Sequence, residues 1–262
     1  MPETLEIATK AAKTAGKFLK QSVGNIKEIR QKYGQEKNLV TEIDKKSEKM
    51  IIEMVRTSFP DHSILAEEGG DGSESRPAEF KWIIDPLDGT TNFTHGFPVF
   101  CVSIGIEVEG KLQYGVIYDP NFDELFTAER GKGAYLNGNR VKVSKVNSLK
   151  QGLLVTGFPY NIVENPDHAV EHFTNFLMKA QAVRRMGSAA LDLAYLACGR
   201  FDGFWEVALH PWDVAAGVLM VEEAGGRITD FSGAPYSIYN KQLLSSNGLV
   251  HDEMKTVLAS AG

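Results

Sequence analysis

The chain has 262 residues, 43% hydrophobic and 24% charged, the composition of a globular protein with a substantial core. Its formal net charge of −6 excludes a general nucleic-acid-binding surface, and it sits awkwardly with an anionic ligand unless bound cations reverse the sign locally. No stretch approaches the roughly 18 apolar residues that span a bilayer, and Glu3 and Glu6 interrupt any secretory-signal pattern, so a cytoplasmic protein without a membrane partner is expected.

In chain order, Leu5, Ala8, Ala12, Ala15 and Leu19 recur at helical spacing and predict an amphipathic first helix. Residues 24–38, with Gly24, Gly34 and mixed charges, read as a polar loop. Thr41 and Asp44 fit a capping box at the start of a second helix, with Ile43, Met50, Ile51 and Val55 on one face. Ser63 to Ala66 is a short apolar strand, followed by Glu67-Glu68-Gly69-Gly70. Trp82 to Ile84 is a buried strand, and Pro86, which has no N–H for a sheet ladder, is expected to end it at Asp85. Asp88 then falls three residues on, in a turn, and Gly89-Thr90-Thr91 enters a helical turn whose free N–H groups suit an anion.

Downstream, Phe100 to Val108 and Leu112 to Tyr118 alternate about a Glu109-Gly110 turn, and Leu125 to Ala128 continues the meander. Asn137-Gly138 signals a hairpin before Val141 and Val143. The polar stretch 144–151 divides this antiparallel half from one in which strands and helices alternate. That half holds a strand at Leu153 to Thr156 and a helix from about Pro166 to Ala180. A strand beginning at Val183 and a helix capped by Ser188 follow. Next come a strand at Phe201 to Glu206 and a helix starting Pro211-Trp212-Asp213 and stopping at Gly225-Gly226. Strands near Ile228 and Leu243 to Ser245 precede a last helix over 251–260. Cys101 and Cys198 lie far apart in apolar sequence and are expected to be free thiols.

Two carboxylates beside an anion-binding turn are the makings of a metal-dependent phosphate site, because Mg²⁺ is held by a few carboxylates together with substrate phosphate. Phosphatases with an aspartyl nucleophile also carry an Asp-Gly-Thr after a strand, but with one residue between their aspartates. Here Pro86 and Leu87 both intervene, so a covalent phospho-aspartate is not expected.

Trp82 to His95 resembles the first signature of the inositol monophosphatase family, and Trp212-Asp213-Val214-Ala215-Ala216-Gly217 through Gly225-Gly226 resembles the second. The resemblance covers nearly the whole chain. It implies an α+β fold, a layered α-β-α-β-α sandwich with an antiparallel sheet in the N-terminal half and a mixed sheet in the C-terminal half. The expected organisation is a single domain over 1–262, with subdomains of about 1–145 and 146–262.

The resemblance also implies a site. Glu67, Asp85 and the carbonyl of Leu87 would hold one Mg²⁺, Asp85, Asp88 and Asp213 a second, and a weaker third would sit near Glu67 and Asp44. Thr90, oriented by Asp44, would take a proton from water, and the N–H groups of Gly89 and Thr90 would grip phosphate. Ala189, Glu206 and Asp213 would contact substrate, Glu68 would support Glu67, and segment 24–38 would be a flap beside the metals. Each assignment has a structural counterpart: Asp44 and Asp213 as helix-start charges, Glu67 and Glu68 as an ordinary loop, Glu206 as a solvated strand end, Ala189 as tight helix packing.

The expected activity is Mg²⁺-dependent hydrolysis of a phosphate monoester of inositol or a related polyol or sugar, lithium-sensitive, in a homodimer to which Arg184-Arg185 contributes. The alternatives are fructose-1,6-bisphosphatase activity alone or together with it, then a 3′,5′-bisphosphate nucleotidase, then a mainly non-catalytic binding partner in a bacterial assembly.

Overall fold

The computed structural model describes residues 2–25, 29–32, 35–73 and 78–261. The first half holds α1 (Glu3–Ser22), β1 (Ile29–Lys32), β2 (Gln35–Thr41), α2 (Glu42–Ser58), β3 (Ser63–Ala66), β4 (Phe80–Asp88) and α3 (Thr90–Thr94). It continues through β5 (Cys101–Val108), β6 (Lys111–Asp119), β7 (Glu124–Glu129), β8 (Gly133–Leu136) and β9 (Asn139–Arg140). The second half holds β10 (Leu153–Thr156), α4 (Ala169–Leu177), β11 (Ala182–Arg184), α5 (Ala189–Ala197) and β12 (Gly203–Glu206). After these come α6 (Pro211–Glu223), β13 (Arg227–Thr229), β14 (Leu243–Ser246) and α7 (His251–Leu258).

Strands β3 to β9 form a seven-stranded sheet in sequence order. It is antiparallel apart from the parallel β3–β4 pair, which the sequence did not signal. The five-stranded sheet runs β11-β10-β12-β14-β13 and is mixed, parallel around β10 and antiparallel around β14. Of segment 24–38, expected as a polar loop, residues 26–28 and 33–34 lie outside the described residues, while 29–32 and 35–38 belong to the antiparallel strands β1 and β2, the second of which leads straight into α2. In the sequence, charged and apolar residues alternate too weakly there to announce a strand.

Alternation along β4 explains the layering. Trp82 and Ile84 pack with Leu5, Ala12, Leu19, Ile51 and Val55 of α1 and α2 on one face of the large sheet. Ile83, with Cys101, Ile117 and Phe126, packs on the other face against Leu191, Ala194, Ala215 and Leu219 of α5 and α6. The outer face of the small sheet, through Leu154, Trp205 and Leu244, is covered by Phe176 of α4 and by Met254 and Val257 of α7. The layers are therefore α-β-α-β-α, as the resemblance implied.

The central layer sits very close to the large sheet. Gly105 and Gly115 are direct cross-strand partners. A Cβ on Gly105 would lie 2.5 Å from Ala215 Cβ, and one on Gly115 would lie 2.9 Å from the Ala216 carbonyl oxygen. A Cβ on Gly217, on the same helix, would lie 2.5 Å from Leu193 Cβ of α5. Ala215-Ala216-Gly217 in the second signature is thus a packing device on both sides of α6.

Two other boundaries depart from expectation. Strand β4 does not stop at Asp85: Asp85 pairs with Ser103 and Asp88 with Cys101, with a register shift between them. Pro86 and Leu87 occupy that irregularity, where a missing N–H costs no ladder bond. Helix α4 begins at Ala169, not Pro166, because Asn165, Asp167 and His168 adopt positive φ of 47°, 51° and 57°. Val141 and Val143 fall beyond β9, and both thiols are free.

Candidate active site

The bulge turns the end of β4 into the floor of a cleft of about 470 Å³. Glu67, Asp85, Leu87, Asp88, Gly89, Thr90, Ala189, Glu206 and Asp213 all line it. Ser47 fixes the bulge from α2, its hydroxyl donating to the Pro86 carbonyl at 2.8 Å. The turn carrying Glu67 is held at both ends: the Glu67 N–H donates to the Ile84 carbonyl, and Glu48 of α2 accepts from the N–H groups of Glu68 and Gly70. Glu68 does not line the cleft.

Three of the acids, Asp85, Asp88 and Asp213, are each oriented through one oxygen. Asp85 Oδ1 accepts from the Leu87 N–H at 2.9 Å. Asp88 Oδ2 accepts from the Ser188 hydroxyl and the Ala190 N–H, both at 2.7 Å, which ties the large sheet to the start of α5. Asp213 Oδ2 accepts from the His210 N–H at 2.7 Å, so this acid does cap its helix while facing the cleft.

Asp44 lies behind the floor, 1% exposed and outside the cleft lining. Its Oδ2 accepts from the N–H and hydroxyl of Thr41, completing the expected capping box, and its Oδ1 accepts from the Thr90 hydroxyl at 3.0 Å. One acid therefore fills both the capping and the Thr90-orienting positions. Gly89, at the start of α3, has φ of 101°, and a Cβ there would sit 2.8 Å from the Val99 carbonyl oxygen, so no other residue fits without strain.

Crowding of acids shows in their proton affinities. Burial, then the charges of Glu67, Asp88 and Asp213, raises Asp85 well above the ordinary carboxylate range. Asp88 is pushed up to about 6 by burial, against the opposing pull of the Ser188 and Ala190 donors. Burial and the charge of Glu67 raise Asp213, and burial lifts Glu206 to about 8 although Arg185 opposes it.

No three His, Cys, Asp or Glu side chains converge as a ready-made metal cage among the described residues. The donor set nevertheless fits a hard cation: four carboxylates and a backbone carbonyl supply oxygen alone, and like charges held this close are relieved by a cation or by protons. Sequence reasoning missed Glu48, Ser47 and the Ser188 bond to Asp88. Each acts by joining segments that are remote in the chain, which no local pattern reports. It also gave Asp192 and Lys241 no site role and assigned Arg185 to a dimer interface, although all three line the cleft.

Together these features define a layered α+β protein with an acid-floored cleft at the end of a bulged strand. The chain belongs to the inositol monophosphatase family, whose pattern it matches over residues 1–261. It is 44% identical to an inositol-1-monophosphatase of Synechocystis over 98% of this chain and 88% of that protein. It is 43% identical to a protein named Nus factor SuhB in Pseudomonas aeruginosa, over 94% of this chain and 92% of that one. The structure of an inositol monophosphatase from Anabaena superposes with a TM-score of 0.88 at 45% identity, covering 98% and 95% of the two chains.

Proposed function

We propose that this protein is a Mg²⁺-dependent phosphatase that hydrolyses a phosphate monoester of inositol or a related polyol or sugar. The observation that carries this reading is the Thr90–Asp44 hydrogen bond at the edge of a cleft floored by Glu67, Asp85, Asp88 and Asp213. Those four acids and the Leu87 carbonyl would hold the metal ions. Bound Mg²⁺ supplies a water of lowered pKa and offsets the negative charge of the phosphate.

The chain's own residues do the rest. Thr90 Oγ1 takes a proton from the attacking water while its own hydrogen passes to Asp44 Oδ1, which Thr41 keeps in line through the other oxygen. Burial raises the proton affinity of Asp44, which suits it to receive that hydrogen. Gly89 and Thr90 form the floor against which phosphate is seated, and Arg185 and Lys241 add positive charge to the lining. Ala189 and Glu206 lie where the alcohol half would rest.

The inositol class is favoured by the Synechocystis relative and by a 28%-identical Staphylococcus aureus structure described with inositol monophosphate bound. Another structure of that protein is described with 2′AMP bound, so the assay panel includes nucleotide and bisphosphate esters. A second reading rests on the relatives named Nus factor SuhB: a binding partner in a bacterial assembly, with catalysis secondary. Phosphate release from a panel of sugar, polyol and nucleotide esters separates the two. Turnover with Mg²⁺ that chelation abolishes and Mg²⁺ restores is expected; full turnover in excess chelator rejects the metal mechanism, and no release from any ester favours the binding partner.

A further inference from the structure

Helix α5 reads Ala-Ala-Leu-Asp-Leu-Ala-Tyr-Leu-Ala, and Asp192 is its only acid. The side chain is 1% exposed, and both of its carboxylate oxygens lack a hydrogen-bond partner among the described residues. It nevertheless lines the cleft. The charged groups acting on it are Glu206, at the end of β12, Asp88 and Arg185.

A carboxylate shut away from water without a donor is costly, and native proteins rarely keep one for nothing. Start-of-helix charge is a weak reason to keep it, since that effect is small and an exposed acid would serve as well. Glu206 is pressed against the chain opposite: a Cβ on Gly157 would lie 2.2 Å from its Oε1, so Gly157 keeps room for that carboxylate. Two buried carboxyl groups, both with proton affinity raised by burial, therefore border one end of the cleft, with Arg185 as the nearby counter-charge.

Resting on the phosphatase reading above, we infer that Asp192 is a specificity-determining residue that, together with Glu206, accepts hydrogen bonds from hydroxyl groups on the alcohol half of the substrate. Neutral hydroxyls supply the missing donors without adding charge. A second phosphate at that end would meet two acids, and a bare hydrocarbon ring would leave Asp192 unpartnered. The class of ester selected is thus a monophosphate of a polyhydroxylated ring or chain.

The test compares Asp192→Ala and Asp192→Asn with wild type on inositol monophosphate and on cyclohexyl phosphate, a ring of similar size with no hydroxyls. Loss of the buried acceptor should lower kcat/KM for inositol monophosphate by about 10- to 100-fold in Asp192→Ala. Asp192→Asn, which keeps one acceptor oxygen, should fall between. Cyclohexyl phosphate should change by less than about 3-fold in either variant, the margin left by ordinary repacking. Thermal midpoints should hold or rise, since an unpartnered buried acid is removed.

A wild type active on both esters, with variants that lose equally on both or on neither, overturns the inference and leaves the phosphatase reading standing. A wild type inactive on every ester overturns both.

Discussion

At the scale of single residues, the question is whether the site acids are scaffolding or machinery. Asp213 caps α6 through His210, and if that were its whole role Asp213→Asn would cost at most about 1 kcal/mol of stability and leave activity near normal. As a metal-holding acid it should instead lose orders of magnitude in kcat with the fold intact. Thr90→Ala should depress kcat more than KM, by about 10²–10⁴-fold, because a proton-relaying hydroxyl matters chiefly in the transition state. Measuring kcat and thermal midpoint at saturating Mg²⁺ decides both, and near-normal kcat in both variants would make these residues scaffolding.

His251, away from the cleft, offers a different test. It is fully buried, its Nε2 lies 2.9 Å from Thr229 Oγ1 and its Nδ1 2.9 Å from Ser246 Oγ. The Thr229 hydroxyl already donates to the Asp230 carbonyl, so the ring is neutral with its hydrogen on Nε2 and Ser246 donates to Nδ1. Burial, assisted by Arg227, lowers its pKa to about 4, whereas the unfolded chain titrates near 6.5. Between those values the unfolded state binds more protons. The contribution of the buried neutral ring is therefore complete above about pH 6.5 and is lost as pH falls towards 4, by up to about 3 kcal/mol. Thermal melts from pH 7 to 4.5 should fall more steeply for wild type than for His251→Gln.

At the scale of elements, the glycine pair of β5 and β6 sets how close α6 can lie to the large sheet. Gly105→Val would drive a side chain into Ala215, where backbone and not a flexible tip is in the way. A loss of about 1–3 kcal/mol is expected, read as a lower urea midpoint. A midpoint equal to wild type would mean that α6 can lift without cost.

What the sequence disclosed divides along the same line. Strands Ser63–Ala66 and Leu153–Thr156 were legible to the residue, because a Pro-Asp-His turn precedes one and Gly157-Phe158-Pro159 closes the other. The acids at the ends of β4 and α6 were legible because their neighbours spell recognisable signatures. The bulge at Pro86 was not, since proline's usual effect is to end a strand and only the pairing of Asp88 with Cys101 rescues this one. Asp192 and Glu48 were invisible as site residues for a related reason: their partners or their lack of them exist only after distant segments meet.

At the scale of the molecule, the central helices α5 and α6 share one buried cluster with residues of both sheets, among them Ile83, Phe126, Phe204 and Leu243. We therefore propose that the halves before and after about residue 145 are subdomains of a single cooperative unit. Calorimetric and van't Hoff enthalpies of unfolding should agree, and two separated transitions would reject this. A homodimer is also proposed, with exposed Arg184 at the end of β11 as one contributor while Arg185 lines the cleft, and light scattering at micromolar concentration should return twice the chain mass.

The trough floored by Gly105 and Gly115 also bears on how the chain is made. Those strands leave the ribosome roughly a hundred residues before α6, at about 5–20 residues per second, so the apolar inner face of the large sheet waits several seconds for its cover. The bond from Ser188 to Asp88, 100 residues apart, cannot form until late in the same interval. Nascent chains halted just before Pro211 should therefore aggregate or recruit chaperones, while chains extended past α6 should become protease-resistant. The chemistry of the cleft and the hazard of its synthesis have a common origin, in a floor and a wall encoded about a hundred residues apart.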